Sequence, residues 1–414
     1  MDRIELLAPA GSLEKLKFAV LYGADAVYIG GEAFSLRTAA ENFSEEDIRE
    51  GVEFAHKKGV KVYIALNVIP HNDDVEKIVE AAKAAHSLKV DAAIVADLGT
   101  IIALRENVPG LDIHVSTQAN IVNAATATAF YRLGAKRVVL GRELSLKEIT
   151  EIRGKTPIGL ELEMFVHGAM CISYSGRCLL SNYMIGRDGN SGACAQPCRW
   201  NYHLVEEKRP GEYYPVYEDE RGTYIFNSKD LCLIRHIPKI VNSGVTSLKI
   251  EGRVKTEYYV ASVVKAYREA IDAYYRDGSD YTFDPSLYEE LQKVSHRRYC
   301  TGFFEGKTTE NSQVYETSSY VRNYDIAGIV QAYDEETGIA TIEQRNRFFK
   351  GDELEIIQPM VPGFMAFSAD YMTDEKGFEI NSAPHAKMLV KLKVPGKVIP
   401  NSIVRKSNRQ EDLG

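Results

Sequence analysis

The segment KVYIALNVIPHNDDVEKIVEAAKAAHSLKVDAAIVADL, residues 61 to 98, contains one complete structural repeat. KVYIALN (61–67) is a short apolar run closed by a polar residue. Behind it, DVEKIVEAAKAAHSLK spaces apolar residues three and four apart, as one face of a helix requires. AAIVADL (92–98) then repeats the strand pattern. Strands that are apolar on both faces and alternate with helices predict a parallel sheet.

The same unit recurs on both sides. The other runs are IELLAPA (4–10), DAVYIGG (25–31), DIHVSTQ (112–118), RVVLGRE (137–143), LELEMFVHG (160–168) and SLKIEGR (247–253), which makes eight. Eight units over roughly 250 residues predict a (β/α)8 TIM-like barrel. An open doubly wound sheet is the alternative, but no G-x-G-x-x-G turn follows the first run. Ser12 and Ser44 are placed as N-caps, and Gly23, Gly59 and Gly134 as C-caps. The barrel is expected over residues 1–275, with a cysteine-rich insertion at about 169–246 on the C-terminal face, where such barrels carry their sites. TEYYVASVVKAYREAIDAYY (256–275) reads as its last helix, and residues 276–320 as a linker with one short helix. From 321 to 414 the pattern alternates apolar and polar residues between turn signals, which predicts a small C-terminal antiparallel β-barrel.

Composition narrows the function. The chain has 414 residues, 45% hydrophobic and 26% charged, with a net charge of −8. That balance argues against a body coated with basic charge for non-specific nucleic-acid binding. No apolar run is long enough for a membrane helix, and the N-terminal pattern does not read as a signal peptide. A cytoplasmic protein is expected. There, clustered cysteines are more often metal ligands or catalytic groups than disulfides.

Asn67, Asp97, Gln118, Glu143, His167 and Glu251 close six of the eight runs, which together suggest a polar pocket at the strand ends. The insertion carries Cys171, Cys178, Cys194 and Cys198, followed by Cys232 in NSKDLCLI, read as a helix start. Cys300 lies apart with no assigned role. Thiolates in this number suit zinc or an iron–sulfur cluster, and the wide, irregular spacing on loops favours a cluster. A nucleophilic Cys171 with His167 as base is the competing arrangement. Arginines and lysines near the loop, among them Arg177, Arg187, Arg199, Lys249, Arg253 and Arg297, with Arg405 and Lys406 further on, are candidates for a phosphate-gripping rim. Tyr174 and Trp200 are candidates for stacking on a base.

Glu163 to Ser181 reads E-x-F-x-x-G-A-M-C-x4-G-x-C-x-L-S. It resembles the signature of the peptidase U32 family, the collagenase-like proteases, at every fixed position. The flanking barrel, RDGNSGACAQPCRW, KIEGR and the β-rich C-terminus are also similar to that family, so the likeness spans nearly the whole chain. The resemblance implies oxygen-independent hydroxylation rather than proteolysis, closest to the branch that forms 5-hydroxyuridine at wobble position 34 of tRNA. It implies a 4Fe-4S cluster on Cys171, Cys178, Cys194 and Cys232, with Cys198 competing with Cys194, and prephenate as co-substrate. The expected partners are tRNA and a homologous U32 subunit, with no membrane. In that reading His167 and Glu251 act in catalysis, and Asn67, Gln118, Arg177 and Arg253 bind substrate, Arg253 being suited to a carboxylate. A U32-type peptidase is the alternative function.

Overall fold

A computed structural model of the protein describes residues 3–31, 43–170, 178–187, 194–199, 217–219, 222–224, 229–306 and 321–408. The chain divides into two compact units. The first comprises Met1–Val20, Ala24–Lys255 and Arg297–Ser319, and the second Leu21–Gly23, Thr256–His296 and Tyr320–Gly414.

In the first unit, strands and helices alternate as the repeats predict. β1 (Glu5–Pro9) leads to α1 (Leu13–Leu21), β2 (Ala26–Gly30) to α2 (Glu45–His56), and β3 (Lys61–Ala65) to α3 (Asn72–Ser87). β4 (Ala92–Val95), α4 (Leu98–Asn107), β5 (Asp112–Val115), α5 (Ala124–Arg132), β6 (Arg137–Val139), α6 (Leu146–Lys155) and β7 (Glu161–Gly168) continue the series. The insertion contributes α7 (Leu180–Ile185), the paired strands β8 (Tyr217–Asp219) and β9 (Gly222–Tyr224), β10 (Asp230–Cys232) and α8 (Ile237–Asn242). β11 (Ser247–Ile250) follows. β1 to β7 pair in parallel in chain order, and β11 pairs with both β1 and β7. The sheet is therefore closed into the expected barrel. Local signals behave as read: Ser44 forms a capping box with Asp47, and Ile78, Val79, Ala82 and Ala85 are the buried stripe of α3.

The barrel interior departs from the purely apolar strands expected. Leu7, Ala26, Tyr28, Tyr63, Ala92 and Ile94 form an apolar cluster. Beside it runs a buried ionic network. Arg137 contacts Glu5 at 2.5 Å, Glu161 at 2.7 Å and Glu163 at 3.0 Å. Lys249 donates to Glu163 at 2.8 Å, and the Ser247 hydroxyl donates to Glu5 and Glu163. Tyr63 donates to Glu5 at 2.7 Å. A charge removed from water is tolerable only when paired in this way.

β10 is a strand where a helix start was expected. It pairs antiparallel with the end of β7, with Leu231 opposite Gly168 and Cys232 opposite His167. β12 (Tyr299–Cys300) pairs with β10 in turn. Three residues are too few to show strand periodicity, so this pairing comes from tertiary contact alone.

The second unit holds α9 (Glu257–Asp277), α10 (Pro285–Lys293) and seven strands. The helix read as the barrel's last thus groups with the C-terminal unit. Tyr258 and Glu257 at its start meet Arg405 and Arg345 at 3.5 Å each. The strands are β13 (Tyr324–Asp334), β14 (Ile339–Gln344), β15 (Glu353–Ile357), β16 (Met365–Ser368), β17 (Met372–Asp374), β18 (Leu389–Lys393) and β19 (Ile403–Ser407). They form one antiparallel half-barrel sheet in the order β16-β15-β19-β13-β14-β18-β17. Alternate residues of β14 are buried, as an antiparallel sheet with one wet face requires. Their core includes Val330, Ile342, Phe348, Leu354, Ile356, Val390 and Leu392.

Candidate active site at the C-terminal mouth of the barrel

The expected pocket residues fall at the C-terminal ends of the barrel strands, in two groups. The first is built on β7, β10 and β11. His167 is buried, with its Nε2 3.5 Å from the Tyr299 hydroxyl, and it sits across the ladder from Cys232. The Glu251 amide donates to the His167 carbonyl at 2.9 Å, and Tyr28 donates to Glu251 at 3.4 Å and to the Ile250 carbonyl at 3.0 Å. Arg253 is buried two residues further on.

Two glycines allow this approach. Gly168 has φ +108°, and a Cβ there would lie 2.7 Å from the Glu251 carbonyl oxygen. A Cβ on Gly11 would lie 2.0 Å from the Arg253 carbonyl oxygen. Only glycine tolerates that conformation and that closeness. The chain leading into Cys171 is thereby held against the Glu251–Arg253 segment.

The second group follows β3 and β5. The Asn67 amide donates to the Ser116 hydroxyl at 3.2 Å, and that hydroxyl donates to Gln118 at 3.5 Å. Gln118 and Ser116 are buried. A residue that sequence reasoning missed adjoins the mouth. Arg142 follows β6, stacks its guanidinium 3.9 Å from the Phe165 ring centroid, and donates to the Ala169 carbonyl at 2.5 Å. Its Nε is buried and has no hydrogen-bond partner among the described residues. The RVVLGRE run contains this arginine, but a residue beside the polar Glu143 carries no distinguishing pattern.

The cysteines are positioned by two tethers. Ladder pairing sets Cys232 next to the β7 end that leads to Cys171. Separately, the Ala195 amide donates to the Ser181 hydroxyl at 3.0 Å, which ties the Cys194 segment to α7, just beyond Cys178. The Gln196 amide donates to the Cys194 sulfur at 3.4 Å, as amides do around cluster thiolates. Cys178, Cys194 and Cys198 are half-buried and Cys232 is buried. Among the described residues no group of three potential ligands is assembled. Cys171 and Arg177 lie outside the described residues, as do Tyr174 and Trp200. The donor set itself, soft thiolates with an amide aimed at one sulfur, fits an iron–sulfur group.

The phosphate-gripping rim needs correction. Lys249 is internal to the barrel and paired to Glu163, and Arg297 is buried with Asp230 at 4.0 Å. Arg405 is fully buried in the second unit against Glu290 and Glu355. Burial takes these three charges away from any RNA backbone. Arg187 remains exposed.

At the opposite, N-terminal ends of the strands, a cavity of about 120 Å³ is lined by residues including Tyr63, His114, Arg137 and Glu161. Burial, together with the positive charges of Arg137, Lys249, Lys136 and Lys61, holds His114 well below the ordinary histidine range, so it is neutral. For Glu5, burial pushes the carboxyl up, but Arg137 outweighs it and the net shift is downward.

A closed parallel (β/α)8 barrel with polar residues at the C-terminal ends of its strands defines a TIM-like barrel protein. The chain belongs to peptidase family U32: that family's profile matches residues 11–314, and its C-terminal domain matches residues 322–405. It is 43% identical to tRNA hydroxylation protein P1 of Bacillus subtilis (strain 168), over 97% of this chain and 94% of that one. It is 39% identical to tRNA hydroxylation protein P of Escherichia coli (strain K12), over 95% and 94%. It is also similar to a protein named collagenase from Porphyromonas gingivalis, at 31% identity over both chains in full.

Proposed function

We propose that this protein takes part in oxygen-independent hydroxylation of tRNA, forming 5-hydroxyuridine at wobble position 34 with prephenate as co-substrate and a 4Fe-4S cluster as redox centre. The observation that carries the reading is the pairing of β10 with β7, which brings Cys232 in beside the approach to Cys171. Likeness to tRNA hydroxylation proteins over almost the whole chain supports the RNA substrate. Cys171, Cys178, Cys194 and Cys232 would hold the cluster. The tether from Ala195 to Ser181 holds the Cys194–Cys198 segment beside α7, with Cys194 as the proposed third ligand and Cys198 as its competitor.

Replacing a carbon-bound hydrogen by hydroxyl is a two-electron oxidation, which side-chain acids and bases alone do not perform. A bound cluster would supply electron transfer, and the co-substrate would have to supply the hydroxyl oxygen and take up the two electrons. The protein's own residues supply binding and proton handling. Arg253, after β11, and Arg142, after β6, are the proposed guanidinium groups for a carboxylate-bearing co-substrate. His167, held by Tyr299 and buried, and Glu251, held by Tyr28, are the groups able to move a proton. A second U32 chain is a candidate partner, since a P2 protein exists beside P1 in Bacillus subtilis.

The test is nucleoside analysis of tRNA from a strain lacking its tRNA hydroxylation proteins and supplied with this chain. Return of wobble 5-hydroxyuridine derivatives is expected. Their absence, with gelatin cleavage by the purified protein that Cys171→Ser abolishes, would replace the reading with the peptidase one.

A further inference from the structure

The Asn67–Ser116–Gln118 group has a property that its hydrogen bonds dictate. The Ser116 oxygen has two acceptor sites and one hydrogen. The Gln118 backbone amide donates to it at 3.4 Å and takes one acceptor site. One acceptor site and one hydrogen are left for two side-chain amides. One amide must therefore donate to the serine and the other must accept from it. As placed, Asn67 donates through Nδ2 and Gln118 accepts through Oε1. The outward atoms are then Asn67 Oδ1, an acceptor, and Gln118 Nε2, a donor. Rotating both amides reverses the two roles but keeps one of each. Both outward atoms are buried and have no hydrogen-bond partner among the described residues. Leaving a buried amide group unsatisfied costs about 1–3 kcal/mol, so such pairs are explained by a ligand or an ordered water.

We propose that Asn67, Ser116 and Gln118 form a fixed donor–acceptor reader for the imide edge of a uracil base. The inference rests on the proposed RNA substrate and deepens it. The uracil N3–H donates to Asn67 Oδ1, and the neighbouring carbonyl accepts from Gln118 Nε2. A carboxylate offers two acceptors and no donor, so it does not match this pair. That leaves the co-substrate to the arginines and separates two subsites in the mouth. Reading an extruded base by its Watson–Crick edge is how enzymes acting on bases select them.

The test compares binding of uridine and 3-methyluridine, which lacks the N3 donor. Each is presented as the wobble base of an anticodon stem-loop and as a free nucleoside, with cytidine as a third nucleoside. The full chain is used as wild type, Gln118→Met and Ser116→Ala, and thermal unfolding checks that each variant keeps its barrel. Wild type is expected to prefer uridine by roughly tenfold or more, and both variants by less than about threefold, through weaker binding of uridine. Gln118→Met removes the donor. Ser116→Ala keeps both amides but frees their polarity, so it also serves if the first variant fails to fold. Equal binding of the two bases by wild type, or a preference that survives both variants, would overturn the inference. Variants that lose stability while keeping the preference would assign the pair to a structural water, which also overturns it. Should wild type ignore the RNA yet prefer free uridine over 3-methyluridine and cytidine, the tRNA reading falls and the reader stands. If it binds neither, both fall.

Discussion

Glu163 shows how much one residue carries in this barrel. It is 1% exposed and meets Arg137, Lys249 and Ser247. Glu163→Gln would leave two cations buried without their shared counter-charge. A loss of about 3–5 kcal/mol is expected in urea unfolding, as for other buried pairs broken from one side. His114 makes a second prediction, in pH. Its folded pKa lies below the ordinary 6.5. Below that value the unfolded chain takes up a proton that the folded barrel refuses. His114 therefore contributes stability fully above about pH 6.5, lost as pH falls from there toward the depressed folded value, at up to about 1.4 kcal/mol per pH unit. His114→Phe, which keeps a ring against Tyr63, should flatten the fall in urea midpoint between pH 6.5 and 5.5. Neither residue was legible as part of a network. Glu161, Glu163, Arg137 and Lys249 stand in runs read as apolar on both faces, where the polar alternation within LELEMF is only three strand positions long. That alternation was the available signal.

Among the elements, the joint between β7 and the Glu251–Arg253 segment is the most demanding. Gly168→Ala would force a side chain into a positive-φ position and into the Glu251 carbonyl. A destabilisation of about 1–3 kcal/mol is expected. If the proposed cluster is bound, its loss should accompany the change, because the same turn leads to Cys171. A thermal midpoint that falls while iron is retained would separate the turn's structural role from the site. The strands that make the barrel were legible because each repeat carries its own periodicity and cap, as Ser44 and its Asp47 partner illustrate. β10 was not, because a three-residue strand has no period and exists only by pairing with β7. The helix after β11 was legible as a helix but not in its grouping, which depends on Arg405 and Arg345 far along the chain.

At the scale of the whole molecule, the strand-end placement of Asn67, Gln118, His167, Glu251 and Arg253 could be named from the sequence, since a parallel barrel presents its loops on one face. The basic rim could not be judged, because a sequence shows charge and not burial: Lys249, Arg297 and Arg405 are all interior. In the proposed function, cysteines from two separate tethers meet as one redox centre beside a uracil-reading mouth. The most direct test of that centre is iron and acid-labile sulfide, with the visible spectrum, on anaerobically purified full chain, wild type beside Cys232→Ala. Iron and sulfide in near-equal amounts with a broad brown absorbance, lost in the variant, is the predicted result. Zinc in their place, or iron undiminished by Cys232→Ala, would contradict it.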